Sequence, residues 1–537
     1  MQTAVNHIAS WAEEWIVTIN KRKTETSIFS LSPNKETVKL SIKGENLPIQ
    51  ETPTYLGVKL DRRLTWSPQI TVMENKGIRK MAVMKKLSGT SWGSNSKILT
   101  QVYTGSVRPH LEYGATSWGT AAKTNTSRLT KVQNSGLRII TGALKTTPIE
   151  TMEKTARLQS LEERRSEKNL RQAEKVKRIS THPLKNKLRE PTKNRLKRQS
   201  PNHLTKANQK TVKDSLPILN ENEVEPLIDY VDWRRTETKI ELEVPNISEK
   251  KSHSQTELKT LTQEHLNNCY PSNSWTQVFT DGSSENAVQN GGGGILIKFP
   301  SGNKINKSIA TGKNSTNFRA EACAILNAAK HLNSIDEIPT QTVILSDCKS
   351  VLQSLQGDQE NKTIRETINE LKLLQQRTTL ILQWIPSHCG ISGNEEADKL
   401  SKEGSKLEQP NNPIDYDEVK TMIKATIKNK WKKRLNIEGE DSIHQLRRAD
   451  QVLIFRLRTG HCRLLSHMYK MNLAHTDECQ CQTGKQTVEH VLRFCPTFET
   501  LRAETWSEGT CLEEMLYGPE MALRRTAEFV RQTKLTI

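Results

Sequence analysis

The sequence predicts an α/β fold between residues 273 and 407, flanked on both sides by basic, helix-rich segments. Three observations predict it. Thr276–Thr280, Gly291–Phe299 and Ile305–Ile309 are strand-like runs joined by short turns, which reads as an antiparallel meander. After them, helix-like and strand-like segments alternate as far as Glu403. Four acids, Asp281, Glu321, Asp347 and Asp398, fall at strand ends and helix starts, where open α/β sheets usually place their chemistry.

Taken in order, Thr276–Thr280 delivers Asp281 at its end. The second strand carries four consecutive glycines, Gly291 to Gly294, which allow close packing while weakening its own β-preference. Asn317–Asn333 reads as a helix with Ala322, Ile325, Leu326 and Ala329 on one face and Glu321 beside that face in the first turn. Val343-Ile344-Leu345 is a buried-type strand ending at Asp347. Helices follow at Lys349–Leu355 and Thr363–Gln375, and Leu380–Ile385 is the last strand. It runs into a Pro/Gly-punctuated loop carrying His388. That loop enters a helix through Gly393-Asn394, placing Asp398 about one turn inside, and Gly404 closes the helix after Glu403.

Four carboxylates gathered without an arginine partner repel one another and make poor structural glue. They suit hard divalent cations, which take oxygen ligands. Thr280-Asp281-Gly282-Ser283, Asn317-Phe318-Arg319-Ala320-Glu321, Leu345-Ser346-Asp347-Cys348 and the run from Trp384 to Asp398 (WIPSHCGISGNEEAD) occur in that order. Together they closely resemble a type 1 ribonuclease H domain over about a quarter of the chain. The resemblance implies a mixed five-stranded sheet with helices on both faces. It also implies endonucleolytic, two-metal hydrolysis of the RNA strand of RNA–DNA hybrids with two Mg2+, Mn2+ being a substitute. In that pattern Asp281 bridges both ions, Glu321 and Asp347 complete the cage, and Asp398 holds the other ion. His388 matches a position that assists proton transfer or product release, work an imidazole can do near neutral pH. Asn317 matches a polar position contacting the hybrid near a ribose 2′-OH, the group that separates RNA from DNA. Cys348 stands where Ser is common. Cys389 beside His388 is not expected to form a nucleophile pair, because neighbours on an extended loop point apart.

Upstream, Ala12, Trp15, Ile16 and Ile19 recur at helical spacing, Ser27–Leu31 is strand-like, and Tyr55–Asp61 with Leu64-Thr65-Trp66 reads as strand, turn and following helix. The order of Trp11, Trp15, Asn20, Lys23, Thr24, Phe29 and Ser30, followed by YLGVKLD and LTW, resembles the end of a non-LTR (LINE-type, jockey-like) reverse transcriptase. The polymerase Tyr/Phe-x-Asp-Asp signature of that family should lie upstream of Trp11. The chain carries none, so the expectation is a truncated element unable to polymerise DNA by itself. Residues 1–150 then correspond to a thumb-like remnant, with helical, basic segments that include Pro109–Trp118 and the amphipathic Leu129–Ile140. Residues 151–272 read as a basic helix and linker. The Lys/Arg run ending in Lys193-Asn194-Arg195-Leu196-Lys197-Arg198 is a phosphate-tracking tether or a solvated linker, and 216–272, with Pro217, Pro226, Pro245 and Pro271, is a connector.

Downstream, residues 408–470 form a basic helical region. In it Tyr416–Leu435 sets Val419, Met422, Ile423, Ile427 and Trp431 on an apolar side, and Arg456–Cys462 lies in a second segment. Residues 471–537 carry Cys479-x-Cys481-x8-His490-x4-Cys495. Three thiolates and an imidazole make a tetrahedral Zn2+ set, with Thr483-Gly484 allowing the turn, and His475 and Cys511 are alternative ligands. Reduced cysteines in a small core are the competing reading. The pattern followed by Arg502 resembles the C-terminal knuckle of jockey-like open reading frames.

With 80 Lys+Arg against 60 Asp+Glu, the net charge of +20 points to a polyanionic partner. No run of 18 apolar residues and no signal-like N-terminus argue against membrane and secretion, and nine cysteines in 537 residues suit a reducing compartment, cytoplasm or nucleus. The leading expectation is a ribonuclease H. The alternatives are a catalytically inactive nucleic-acid-binding remnant, against which all four acids and His388 speak, and an accessory factor to a reverse transcriptase encoded elsewhere.

Overall fold

The computed structural model describes residues 1–32, 37–189, 201–212, 216, 224–227, 238–247, 253–286, 288–337, 340–357 and 361–537. They divide into two compact units, one mainly Met1–Asn169 with Ile427–Ile537, the other mainly Lys206–Thr426.

The second unit is built on a mixed sheet of β1 (Lys239–Glu241), β2 (Thr276–Glu285), β3 (Gln289–Lys298), β4 (Lys304–Gly312), β5 (Gln341–Ser346) and β6 (Thr379–Trp384). Its order is β1-β6-β5-β2-β3-β4. Short turns allow only antiparallel neighbours, so β2, β3 and β4 form the expected meander. Helices α2 (Asn317–Asn333), α3 (Lys349–Gln356) and α4 (Lys362–Gln375) form the crossovers that let β5 and β6 run parallel to β2. Side chains alternate along each strand, and both faces are buried. Val278, Ile295, Ile344 and Leu382 share a core with Ala322, Ile325, Leu352 and Leu371 of α2, α3 and α4. On the other face Phe279, Leu296, Val343 and Leu345 pack with Leu258 and Leu266 of α1 (Gln255–Cys269) and Ala397 of α5 (Ser392–Gly404). A sheet covered on both faces explains why the parallel strands β5 and β6 read as near-continuous apolar runs.

The glycine run has the role its sequence suggests. A Cβ on Gly294 would lie 2.0 Å from the Ala397 carbonyl oxygen of α5, backbone that cannot give way. Gly294→Ala is therefore expected to destabilise this unit by about 1–3 kcal/mol, measurable as a lower denaturant midpoint. A midpoint equal to the wild type would show that α5 is free to move off the sheet.

Several expectations need correction. The sheet has six strands, not five, and the sixth comes from the segment read as a connector. Residues 238–247 supply β1, paired parallel with Ile381–Gln383, and residues 253–272 supply α1. β1 was not visible locally, because a three-residue edge strand exists only through its partner. α1 did carry a local signal that was missed, the capping box of Ser254 and Glu257 ahead of the apolar Leu258 and Leu266. Near the N-terminus the helix runs Gln2–Glu14, so Trp15, Ile16 and Ile19 lie beyond it, and Trp15 and Ile16 are exposed. Ser27–Leu31 is not a strand. The basic helix Leu161–Arg178 is not solvated all round, since Leu161, Leu170, Ala173 and Val176 are buried. Gly404 is the last residue of α5 rather than the one after it. The run from Lys193 to Arg198, and Pro217, lie outside the described residues.

In the first unit, one core joins Ile70, Leu99, Tyr103, Leu129 and Leu137 to Phe455, Val491, Leu492 and Phe529. The amphipathic stretch around Leu129 lies in the helix Lys123–Thr141.

Candidate metal centre and active site

The parallel register sets the site. Thr280 of β2 pairs with Ser346, the last residue of β5, which sets Asp281 beside Asp347. Asp281 lies not at the expected end of its strand but in the middle, because pairing with the glycines of β3 carries β2 on to Glu285. Glu321, buried in the second turn of α2, meets them because Gly282 lets the helix approach; a Cβ there would lie 2.1 Å from the Glu321 amide nitrogen. Carboxylate oxygens of Asp281, Glu321 and Asp347 come within 4.8 Å of one another. Asp281 accepts a 2.6 Å hydrogen bond from Ser401 Oγ on α5, and Asp347 accepts one of 3.1 Å from Asn394 Nδ2. Trp384 Nε1 donates to the Asp347 carbonyl at 3.2 Å. Glu321 Oε2 is buried with no hydrogen-bond partner among the described residues.

Like charges held in a dry site resist ionisation. Burial pushes the Asp281 carboxyl up to about 6, with Asp347 and Asp398 adding to the rise and the Ser401 hydrogen bond opposing it. Burial, then the charges of Cys348, Asp281 and Asp347, push Glu321 well above the usual carboxylate range. An orphaned buried oxygen among three converging acids is what a hard cation with oxygen ligands would satisfy.

The pH consequence follows in sign. Below pH about 4 Asp281 is protonated folded or unfolded. As pH rises through about 6 the unfolded chain releases the proton first, so metal-free stability is lost. Asp281→Asn is expected to gain on the wild type over that window, by about 3 kcal/mol at pH 7. Mg2+ should shrink the gain by binding only the wild-type folded site. Melting curves from pH 4 to 7.5 check this, and a pH-independent difference would contradict it.

The other expected residues are placed less tightly. Asp398, on α5, lies outside the three-acid group, and its Oδ2 accepts from Lys402 Nζ at 2.6 Å. Its backbone carbonyl also lies 2.9 Å from Ser401 Oγ, so the one hydroxyl proton is shared between this carbonyl and the closer Asp281 carboxylate. His388 is exposed at φ 52°, close enough for its charge to act on Asp281. Asn317 is exposed one turn before Glu321 and accepts from Ser284 Oγ at 2.5 Å. Cys389 is buried and donates to the Pro386 carbonyl, which sets it apart from the exposed His388. Sequence reasoning missed Ser401 and the role of Asn394. The signal for Ser401 was its place three residues after Asp398 on the same helix.

In the other unit, sulfur and nitrogen atoms of Cys479, Cys481, His490 and Cys495 lie within 4.8 Å of one another. Cys479 and Cys495 Sγ are 3.8 Å apart, and Cys481 Sγ is 3.2 Å from His490 Nε2. A tetrahedral ion with metal–sulfur bonds of about 2.3 Å needs sulfurs roughly 3.8 Å apart, so the separation fits. Hydrogen bonding from Thr483 pulls the Cys481 thiol down to about 6, while burial pushes Cys479 up to about 11. Arg502 braces the cluster by donating to the Val491 and Cys495 carbonyls. Cys511 lies outside it and caps the helix Leu512–Tyr517, and His475 is likewise not among the four.

Fold and acid cluster define an α/β domain of the ribonuclease H type. Residues 273–406 match the RNase H family model. Over 141 residues the chain is 30% identical to Ribonuclease H of Rickettsia bellii, covering 24% of this chain and 86% of that protein. It is 27% identical over 179 residues to the probable RNA-directed DNA polymerase from transposon BS of Drosophila melanogaster, covering 33% of this chain and 20% of that one. It is 29% identical over 143 residues to the RNA-directed DNA polymerase from mobile element jockey of the same species, covering 27% and 16%. The chain belongs to the ribonuclease H family through this domain and is homologous to the polymerases of these non-LTR retrotransposons. It spans about a fifth or less of the length of those transposon polymerases.

Proposed function

We infer that residues 273–407 hydrolyse the RNA strand of RNA–DNA hybrids. The observation that carries this reading is the convergence of Asp281, Glu321 and Asp347 around a buried carboxylate oxygen that lacks a proton donor. Asp281, Glu321 and Asp347, with Asp398 beside them, would hold two Mg2+, or Mn2+ in their place. Such ions supply an activated water and stabilise the leaving oxygen of an in-line displacement. Ser401 orients Asp281 and Asn394 orients Asp347, so each carboxylate is aimed before substrate arrives. His388, exposed on its loop, exchanges protons with the departing product. Asn317, exposed at the start of α2, reads the hybrid near a 2′-OH.

Residues 1–150 are a thumb-like reverse-transcriptase region, 151–237 a basic segment leading into the catalytic domain, whose sheet and core already include β1 and α1, 408–470 a basic helical region, and 471–537 a zinc-knuckle-like region held by Cys479, Cys481, His490 and Cys495. The basic regions hold nucleic acid, and a reverse transcriptase is the natural partner. Among the described residues no helix is long and apolar enough to cross a membrane. The proposed setting is intracellular, in cytoplasm or nucleus. The deciding experiment is cleavage of an end-labelled hybrid in Mg2+ by the wild type and Asp281→Asn. A folded wild type that binds hybrid without cutting it would favour an inactive nucleic-acid-binding remnant.

A further inference from the structure

The family match begins at residue 273, yet the sheet and one of its two cores begin earlier. Residues 238–247 and 253–272 reach the His388 loop by three routes. β1 adds to the edge of β6, the strand that leads into that loop. Gln383, fully buried near the end of β6, spends its side-chain amide largely on this segment. Its Oε1 accepts from Tyr270 OH at 3.0 Å and faces His265 Nε2 at 3.2 Å, and its Nε2 donates to the Glu243 carbonyl at 2.9 Å. Beyond β6, the loop's buried residues Ile385, Cys389 and Ile391 join one cluster with Val244, Ile247, Leu258, Leu266 and Tyr270. The loop is thus anchored before and after His388, which stays exposed between the half-buried Ser387 and the buried Cys389. Opposite it, the Lys259 side chain lies over Gly390, 3.5 Å from where a Cβ would stand.

The backbone at this point is held in a form it would not choose. His388 has φ 52°, a left-handed conformation that persists in a non-glycine residue when surrounding contacts support it, whereas Gly390 adopts its φ of 83° freely. Val244, Ile247, Leu258, Leu266 and Tyr270 of the upstream segment belong to the cluster that holds the loop's buried side chains, and Lys259 lies against Gly390. We propose that this segment is a built-in clamp that sets the position of His388 over the acid site, with Leu258 and Tyr270 as positioning residues. The proposal rests on the hydrolase reading of the acid cluster. A group that moves protons must be placed within a hydrogen bond's reach, and small displacements are costly to rate.

The test uses the full chain with Leu258→Ala and Tyr270→Phe, each alone and combined with His388→Ala. Tyr270→Phe keeps the ring and removes only the hydroxyl held by Gln383, so it guards against simple misfolding. In the wild-type background each substitution is expected to lower kcat for hybrid cleavage about tenfold while KM changes by less than about twofold. In the His388→Ala background neither should lower it further. A full additional loss there would overturn the proposal, because the clamp would then act through something other than His388. Amide hydrogen exchange over residues 387–390 is expected to quicken in Leu258→Ala, and unchanged exchange would also overturn it. A wild type that does not cleave hybrid sinks the hydrolase reading instead, and the exchange measurement still decides whether the clamp exists.

Discussion

Asp281→Asn is expected to reduce Mg2+-dependent cleavage of an RNA–DNA hybrid by about a thousandfold or more. The estimate follows from the several kcal/mol that cation-held charge stabilisation contributes, at about 1.4 kcal/mol per factor of ten. Asn has nearly the shape of Asp and can still accept the Ser401 hydrogen bond, so the fold should persist. What disappears is the negative charge at the centre of the three-acid group. Asn also costs nothing to ionise in a site that pushes the Asp281 carboxyl up to about 6, so the variant should be at least as stable as the metal-free wild type. Loss of cleavage together with undiminished stability would assign the carboxylate to chemistry. Retained cleavage in a preparation free of other nucleases would remove Asp281 from the reaction and with it the proposed mechanism.

The second large effect concerns the Cys/His cluster. The purified protein is expected to carry one zinc per chain, and Cys495→Ser to lose it. Structural zinc in finger peptides contributes about 10–16 kcal/mol of apparent binding free energy, so losing a ligand should unfold the surrounding segment. Cys495 is fully buried and follows Val491 and Leu492, members of the same unit's core. The damage should therefore appear as new proteolytic cleavage between residues 470 and 510. Cys511→Ser, which alters a helix cap outside the cluster, should leave the zinc content unchanged. Metal analysis reads both. A wild type prepared under reducing conditions with no zinc, and no response to added zinc in its proteolysis, would leave reduced thiols packed in a core as the better account.

Elements whose signal is local were legible. The helix Asn317–Asn333 has the bounds its periodicity predicts, because its apolar face and the Thr316 cap both lie in the sequence. The strand before Asp347 was readable because burial on both faces leaves an apolar run, whereas the strand through Asp281 was read only to Thr280 and continues to Glu285 through its pairing with β3. Elements defined by a partner were not. β1 is three residues long and becomes a strand only against Ile381–Gln383. Ser27–Leu31 has strand-like composition but no ladder to join. Trp15 and Ile16 continue an apolar spacing that the helix does not follow, since the chain turns at Trp15 and Ile16 takes φ 56°.

The sequence by itself determined which residues can do chemistry here: four acids, a loop histidine and a Cys/His set, each placed on or beside a recognisable element. Residue type and spacing along one chain are enough for that, because ligand chemistry and helical or strand periodicity are local properties. Only the tertiary structure decided that three of the acids meet while Asp398 stands beside them with Lys402, that Ser401 and Asn394 aim the carboxylates, and that residues 238–247 and 253–272 hold the His388 loop. Convergence depends on strand register and on how closely a helix can approach a glycine. The raised carboxyl pKa values depend on how much water the packed core excludes. Neither distance nor desolvation is a property of any stretch of chain taken alone.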